Sequence, residues 1–532
     1  MGEETELVAR DARPDAGADS TYLLLVLGAA AAVFACFSPG LDNFFAGDDF
    51  NWLFDVLKVR HHPAHALNLP NGFVRYTETG FFFANLLVGG LHPFGYFLSA
   101  LLVHLANFLL LTSLLGRLVN DRLAALAGGL FWALHYAHAE AVLRLYGVAD
   151  ALAVLFFLGS LALLVRHRTV LATALFVLAL LSKENALVFP LLASGYLLVV
   201  EGRRALRRTL PLWACSGLAA MLLAFVRIGA SSYLSFNLGA LSRIWESLLT
   251  YLVTDAVYLR QVVLGGEGPL LPPWLAALLL VPLAAALCWL PPVPRFGLGW
   301  TCVAMAPTLL VAHQTSRYHY VPLVGVAVIV AWACGLAVAW LRRRGSRLGL
   351  AALLGAGALV AGYLALGVRL QEQDWEREGE LHRQAVAAFQ SEVLPALLAD
   401  PQRVAVFVRT DTEPLAHELY PRRPWYHPVT YKWVFRRQHG VLGLTNTWAF
   451  VTYCGYQAAG RALFVRVGEP ELGERLAAGA FELVSHDWRS NAFRVEGEAT
   501  RQELLRHQRD AGFSALVQPG RFDPTCSGDL GP

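Results

Sequence analysis

Lysine is nearly missing from this chain. Lys58, Lys183 and Lys432 are all it has, and the remaining side-chain positive charge is arginine. That shortage reads as genome composition and carries no function. Charge of either sign is scarce: 16% of the 532 residues are Asp, Glu, Lys or Arg, while 56% are hydrophobic. Soluble domains carry ~25% charged residues. A soluble chain of this length would split into several domains and need more polar surface. A net charge of +3 implies no polyanion partner, so nucleic acid is not expected. Cysteine is sparse as well. Five of the seven (Cys36, Cys215, Cys288, Cys302 and Cys334) lie in apolar runs, where a thiol behaves as a small hydrophobe. Cys454 and Cys526 lie in a polar tail and are able to pair if that tail is exported. Met1 to Ser20 is polar and acidic, without a signal-peptide cleavage site, so the first apolar run is expected to stay as a helix. There is no internal repeat and no low-complexity linker.

What the chain does have is long apolar runs. They read as membrane-spanning helices at 22–38, 94–115, 123–138, 148–165, 169–182, 186–200, 211–227, 270–290, 297–312, 320–341 and 348–368, about eleven in all, each ~14–22 residues against a ~30 Å hydrocarbon layer. The loops orient them. Arg166 and Arg168 share one short loop, Arg203, Arg204, Arg207 and Arg208 another, and Arg342, Arg343, Arg344 and Arg347 a third; Arg117 and Arg122 fit the same side. The positive-inside rule puts these loops in the cytoplasm. The N-terminus is then inside and the C-terminus outside. Ser247 to Gly265 is moderately apolar but holds Asp255, Arg260 and Gln261, and is read as an interfacial helix on the outer side. The expected organisation is a cytoplasmic tail 1–21, an all-α membrane domain 22–368 with a large first outer loop 39–92, and an extracytoplasmic domain 369–532. That last domain opens with a polar helix pattern from Gln371 to about Leu398. Strand-like runs follow at Val404–Arg409, Leu463–Val467 and Phe493–Val495, which predicts a small α/β or α+β unit.

Residues suited to chemistry gather on the outer side. Asp48 and Asp49 stand together in the first loop. Paired carboxylates near a membrane surface are costly and suggest a general base with a tuning neighbour. The plainer reading is a helix N-cap ahead of Phe50–Leu57. Arg75, Arg144 beside His135, His138 and Glu140, then Lys183 with Glu184, and Arg317 within Ser316-Arg317-Tyr318-His319-Tyr320 all fall in outer loops, which are normally poor in arginine. Together they suggest an anion site such as a phosphate; the plainer reading is snorkelling to lipid headgroups. His61, His62 and His65 lack the spacing of a zinc site.

Three stretches resemble the C-type glycosyltransferase superfamily, and most closely the bacterial relatives of the membrane O-mannosyltransferases that carry tetratricopeptide repeats. The first is Asp48-Asp49 with Phe83-Ala84-Asn85-Leu86-Leu87-Val88-Gly89-Gly90-Leu91-His92-Pro93 leading to His104 and Asn107. The second is His135-Tyr136-Ala137-His138-Ala139-Glu140-Ala141-Val142 with Gly147 and Asp150, similar to a His-Pro-x-His-x-Glu-Ala-Val turn. The third is Leu181-Ser182-Lys183-Glu184 together with Arg317-Tyr318-His319-Tyr320-Val321-Pro322, similar to Leu-Ser-Lys-Glu and Arg-Tyr-Leu-Tyr-Leu-Pro signatures. The resemblance covers about residues 20–380. It implies transfer of a sugar from a polyprenyl phosphate to an acceptor hydroxyl outside the cytoplasm. By the same resemblance Asp48 is the base, Asp49 its partner and Glu140 a further acidic site residue. His138, Arg144, Glu184, Tyr318 and Tyr320 line the substrate site, and Lys183, Arg317 and Arg75 face the lipid phosphate. No tetratricopeptide repeat is present, which leaves glycan, lipid or protein open as acceptor. No cofactor is implied, and a divalent metal across the acidic pair stays open. The resemblance also implies residence in the bacterial inner membrane among its lipids. A transporter or flippase of lipid-linked saccharides is the alternative; it calls for charges at the bilayer midplane and an internal repeat.

Overall fold

The computed structural model describes residues 16–61, 63–67, 75–227, 285, 287–307 and 316–388, with five strands beyond them. The described part is mostly helical. Its helices are α1 (Ala16–Phe37), α2 (Asp49–His61), α3 (Tyr76–Gly89), α4 (Pro93–Val119), α5 (Arg122–Ala133), α6 (Ala139–Leu143), α7 (Val148–Val165), α8 (Thr169–Leu180), α9 (Phe189–Val200), α10 (Leu210–Arg227), α11 (Pro292–Met305), α12 (Pro322–Arg343) and α13 (Arg347–Ala388). Five helical stretches are long and apolar enough to cross a membrane: Ser20–Asp42, Pro93–Val119, Leu145–Val165, Pro322–Arg343 and Arg347–Gln373. Arg122–Ala133, Thr169–Leu180 and Glu184–Val200 are shorter apolar helical stretches. The chain is thus a helical membrane protein, and side chains such as Leu24 (70% exposed) and Leu359 (78% exposed) face outward where lipid would lie.

Small residues let the helices approach. A Cβ on Gly128 of α5 would come within 2.6 Å of the Ala327 carbonyl oxygen of α12. A Cβ on Gly297 of α11 would come equally close, 2.6 Å, to the Gly325 carbonyl oxygen. Such backbone contact is how helices associate where lipid gives no hydrophobic drive. Buried tryptophans then fix the register. Trp132 Nε1 donates to the Tyr320 carbonyl (3.2 Å) and Trp300 Nε1 to the Val321 carbonyl (2.9 Å).

Two differences from the sequence expectation have clear causes. The expected span 123–138 stops being α-helix at Ala133, because the His135 side chain accepts from the Ala137 amide and starts a separate 3-10 turn, Tyr136–His138. The expected span 348–368 and the polar helix after it form one unbroken helix of 42 residues, α13. At 1.5 Å per residue it is about 63 Å long, twice a hydrocarbon layer. Nothing between Val368 and Gln371 breaks it, since Arg369 and Leu370 are good helix formers.

The strands are β1 (Ala405–Arg409), β2 (Ala462–Arg466), β3 (Glu482–Asp487), β4 (Ala492–Val495) and β5 (Ser514–Ala515). They form one mixed sheet ordered β4-β3-β1-β2-β5. β1 runs parallel to β2 and β3, and the two edge strands are antiparallel. The three strand-like runs of the sequence fall on β1, β2 and β4. The expected span 270–290 lies largely outside the described residues, as do the interfacial segment 247–265 and the pairing of Cys454 with Cys526.

Candidate functional site

The ends of α1, α5, α8 and the starts of α7, α9 and α12 meet at one end of the bundle. The arginine-rich loops lie at the other, where Arg208 Nη1 donates to the Leu164 carbonyl (2.6 Å) and Arg122 covers the Tyr22 ring. The site is built at the first end from short turns between helices.

Asp49 begins α2. Asp48 immediately precedes it: its carbonyl accepts from the Asn51 amide at 3.0 Å, and its half-buried carboxylate takes a 3.5 Å contact from Asn51 Nδ2. Asp49 is 1% exposed. Its Oδ2 accepts from the Ala46 amide (3.0 Å) and its Oδ1 from the Tyr146 amide (2.8 Å). Asp49 therefore ties the acidic loop to the turn before α7. Burial pushes its carboxyl up to about 7, against the pull of Arg144 and the two amides.

Glu140 is the most satisfied carboxylate here. Tyr146 OH donates to Oε1 (2.9 Å), while Ser316 Oγ (2.8 Å) and the Arg317 amide (3.1 Å) donate to Oε2. Arg317 Nη1 lies 4.0 Å from Oε1. Burial raises this carboxyl, but Arg317, Arg144 and the hydrogen bonds outweigh it and leave it below the ordinary value. A carboxylate held this way orients its neighbours and is a poor proton carrier. The Tyr146 ring takes both guanidinium groups: Arg317 lies 4.4 Å and Arg144 4.6 Å from its centroid, and Arg144 also lies 4.4 Å from the Trp375 ring of α13. Arg144 Nη1 donates to Tyr146 OH at 3.0 Å.

A second group of charges lies beside the first. α3 is stapled to the end of α8: the Thr77 amide donates to the Leu181 carbonyl (3.2 Å), and its hydroxyl donates to Ser182 Oγ (2.6 Å). That brings Arg75 to Glu184 (3.7 Å) and to Glu78 (3.6 Å). Lys183 pairs with Asp150 of α7 and lies 5.1 Å from the Tyr318 ring centroid. Burial lowers the Lys183 ammonium to about 8, although Asp150 acts to raise it. Burial also acts against the Arg75 charge, and Glu184 and Glu78 more than offset it. Arg317 stays charged for a similar reason, with Tyr146, Tyr318, Glu140 and Asp150 against its burial.

Arg75, Lys183, Glu184, Arg317 and Tyr318 thus come together, and Asp49, Glu140 and Arg144 adjoin them. Tyr320 and His138 sit apart from the charges. The Tyr320 hydroxyl is buried and bonds His104 Nδ1 (2.8 Å) and Asn107 Nδ2 (3.1 Å), so it anchors the start of α12 to α4. His138 is buried between Trp132 and Tyr320, with ring centroids 4.6 and 4.5 Å away. Sequence reasoning gave no role to Glu78, Tyr146 or Trp375, and quoted Asp150 only within a motif. Glu78 and Asp150 carried a signal, each being a lone acid in an apolar helical run. Among the described residues no group of three or more His, Cys, Asp and Glu side chains is arranged to hold a metal ion. The side chains of His61, His62 and His65 lie outside the described ones.

No family model matches the chain. Over 83 residues, 16% of its length, it is 41% identical to the human protein O-mannosyl-transferase TMTC2 and 40% identical to the mouse protein. The matched stretch spans 10% of either relative. Among solved structures it is similar to the Archaeoglobus fulgidus oligosaccharyltransferase tethered with an acceptor peptide (TM-score 0.43, 12% identity, 93% of this chain and 74% of that one). It is also similar to ArnT from Cupriavidus metallidurans bound to undecaprenyl phosphate (TM-score 0.40, 16% identity, 88% and 97%). The oligosaccharyltransferase and ArnT are C-type glycosyltransferases.

Proposed function

We propose that this protein is a glycosyltransferase that moves a hexosyl unit from a polyprenyl-phosphate donor to an acceptor hydroxyl at the outer face of the membrane. The observation that carries the reading is the joining of two sites by one residue. Tyr146 holds Asp49 through its amide, while its ring stacks on Arg317, a member of the Arg75–Lys183–Arg317 cation group. A carboxylate pair and a set of cations are thereby fixed side by side at one end of a membrane bundle.

An acceptor hydroxyl is a weak nucleophile. Asp48, the more open of the two carboxylates, takes its proton as the oxygen attacks the anomeric carbon. The sugar–phosphate C–O bond breaks and the phosphate leaves with the electron pair. Arg75, Lys183 and Arg317 meet the charge that grows on it. Asp49, with both oxygens engaged, positions the loop. Glu140 holds Arg317 and Tyr146 in place. In this reading the membrane domain has about eleven spans, the N-terminus is cytoplasmic, and the 369–532 domain lies outside the bacterial inner membrane, where a glycan, lipid or protein acceptor is met.

The test is sugar transfer from a polyprenyl-phosphate donor by Asp48→Asn. Asparagine caps a helix as well as aspartate does, so a purely structural Asp48 predicts an unchanged rate. Loss of a general base predicts a fall of ~10²–10⁴ at equal membrane levels. A variant with near-normal turnover would end the assignment of Asp48.

A further inference from the structure

Glu78 is used by no step above, and its setting is unusual. It lies in the first turn of α3, is 0% exposed, and accepts no hydrogen bond at either carboxylate oxygen. The charges that face it come from every side. Arg75 precedes its own helix, Lys183 and Glu184 lie in the turn between α8 and α9, Asp150 is on α7, and Arg317 lies in the turn before α12. Arg75 Nη1, at 3.6 Å, makes an ion pair with it without hydrogen-bond geometry.

We propose that Glu78 is the proton acceptor of the phosphate pocket: a phosphate group binds the form in which Glu78 is neutral, so at alkaline pH, where the empty pocket holds Glu78 ionised against Arg75, binding takes up a proton on it. This rests on the phosphate site proposed above. Two arguments carry it. The first is charge. With Glu78 ionised, the cations Arg75, Lys183, Arg317 and Arg144 face as many carboxylates, Glu78, Asp150, Glu184 and Glu140, and the pocket has no net attraction for an anion. With Glu78 neutral one positive charge is left over, which matches the single charge of a sugar-phosphate diester. The second is hydrogen bonding. A carboxylate offers only acceptors and repels a phosphate oxygen, whereas a carboxylic acid offers an O–H donor. A buried carboxylate with no bond to either oxygen is the form this site favours least, and burial pushes Glu78 up to about 8 despite Arg75, Lys183 and Arg317. The proton comes from solvent and returns there when the phosphate leaves.

The experiment is calorimetric titration of the full-length protein in detergent with farnesyl methyl phosphate, a diester that does not itself titrate near neutrality. It is run at about pH 9 in two buffers of different ionisation enthalpy, above the Glu78 midpoint so that the empty site is mostly ionised. The wild type should take up at least one proton per diester bound, with affinity falling by up to tenfold per pH unit for each such proton as pH rises above about 8. Glu78→Gln should take up about one proton fewer per diester than the wild type, with a correspondingly shallower pH dependence, and Glu78→Asp should keep the wild-type uptake. Lys183 is the other group able to take up a proton there, and Glu78→Gln separates the two because it leaves Lys183 in place. Wild-type binding without proton uptake, or undiminished uptake in Glu78→Gln, overturns the inference and leaves the phosphate site standing. Failure of the folded wild type to bind the diester at any pH overturns the site, and the inference with it.

Discussion

Asp49 and Glu140 are both about 1% exposed, yet burial leaves one carboxyl raised to about 7 and the other below its ordinary value. The partners make the difference. Asp49 has two amides and one guanidinium nearby, whereas Glu140 has two guanidinium groups and three donors. Only ionised Asp49 offers both oxygens as full acceptors to Ala46 and Tyr146, and that form prevails above pH about 7. The rate of sugar transfer should therefore fall as pH drops through about 7, by up to tenfold per unit. Asp49→Asn should move that fall to lower pH, which a pH–rate profile of the two proteins checks; an identical acid limb would free Asp49 of this role. Glu140→Gln sets an NH₂ against the Arg317 amide or, turned the other way, leaves the Tyr146 hydroxyl proton without its acceptor. One buried hydrogen bond is then lost at a cost of ~1–3 kcal/mol, and both thermal stability and transfer rate should drop. Neither contrast between the two acids is legible in the sequence, where each is simply an acid in an outer loop.

At the scale of elements, α13 ties the site together. Its C-terminal half lies against the acidic loop: Arg383 Nη2 donates to the Asp42 carbonyl (2.8 Å), His382 meets Phe50 (5.6 Å between rings), and Trp375 stacks on Arg144. The closest approach is at Gly379, where a Cβ would lie 2.9 Å from the Phe44 amide nitrogen and 3.1 Å from its carbonyl oxygen. These are backbone atoms and cannot swing aside. Gly379→Ala should force α13 off the 43–49 loop, lowering both the melting temperature in detergent and the transfer rate. Gly362 lies on the same helix with nothing within 4 Å of its would-be Cβ. Gly362→Ala should be neutral or stabilising, by at most ~1 kcal/mol from helix propensity. Equal effects of the two substitutions would mean that the Phe44 contact does not matter. The apolar and polar halves of α13 were each visible from composition. That they form one helix packed on Asp49's loop was not, because neither half records what the other faces.

For the whole molecule, the ends of the helices sort by charge. Arg204, in the 3-10 turn Arg203–Thr209, and Arg343, the last residue of α12, lie at the end opposite Asp48 and Lys183. Cysteine labelling in intact cells should find positions 204 and 343 protected and positions 48 and 184 reactive; Pro532 should also be reached from outside, by an epitope tag. A tag reached only from the cytoplasm would remove the tail from the outer face. The sequence alone determined the membrane class, the clustering of arginine in three short loops, the strand runs β1, β2 and β4, and the set of charged residues in the other loops. These depend on local quantities, namely run length, side-chain period and charge count. Only the tertiary structure decided which charges meet. The stapling of Thr77 to Leu181 and Ser182, the stacking of Arg144 and Arg317 on Tyr146, and the burial of Glu78 among three cations all join segments far apart in the chain. The strength of a charge in such a place is set by distance, burial and partners, none of which a linear order of residues contains.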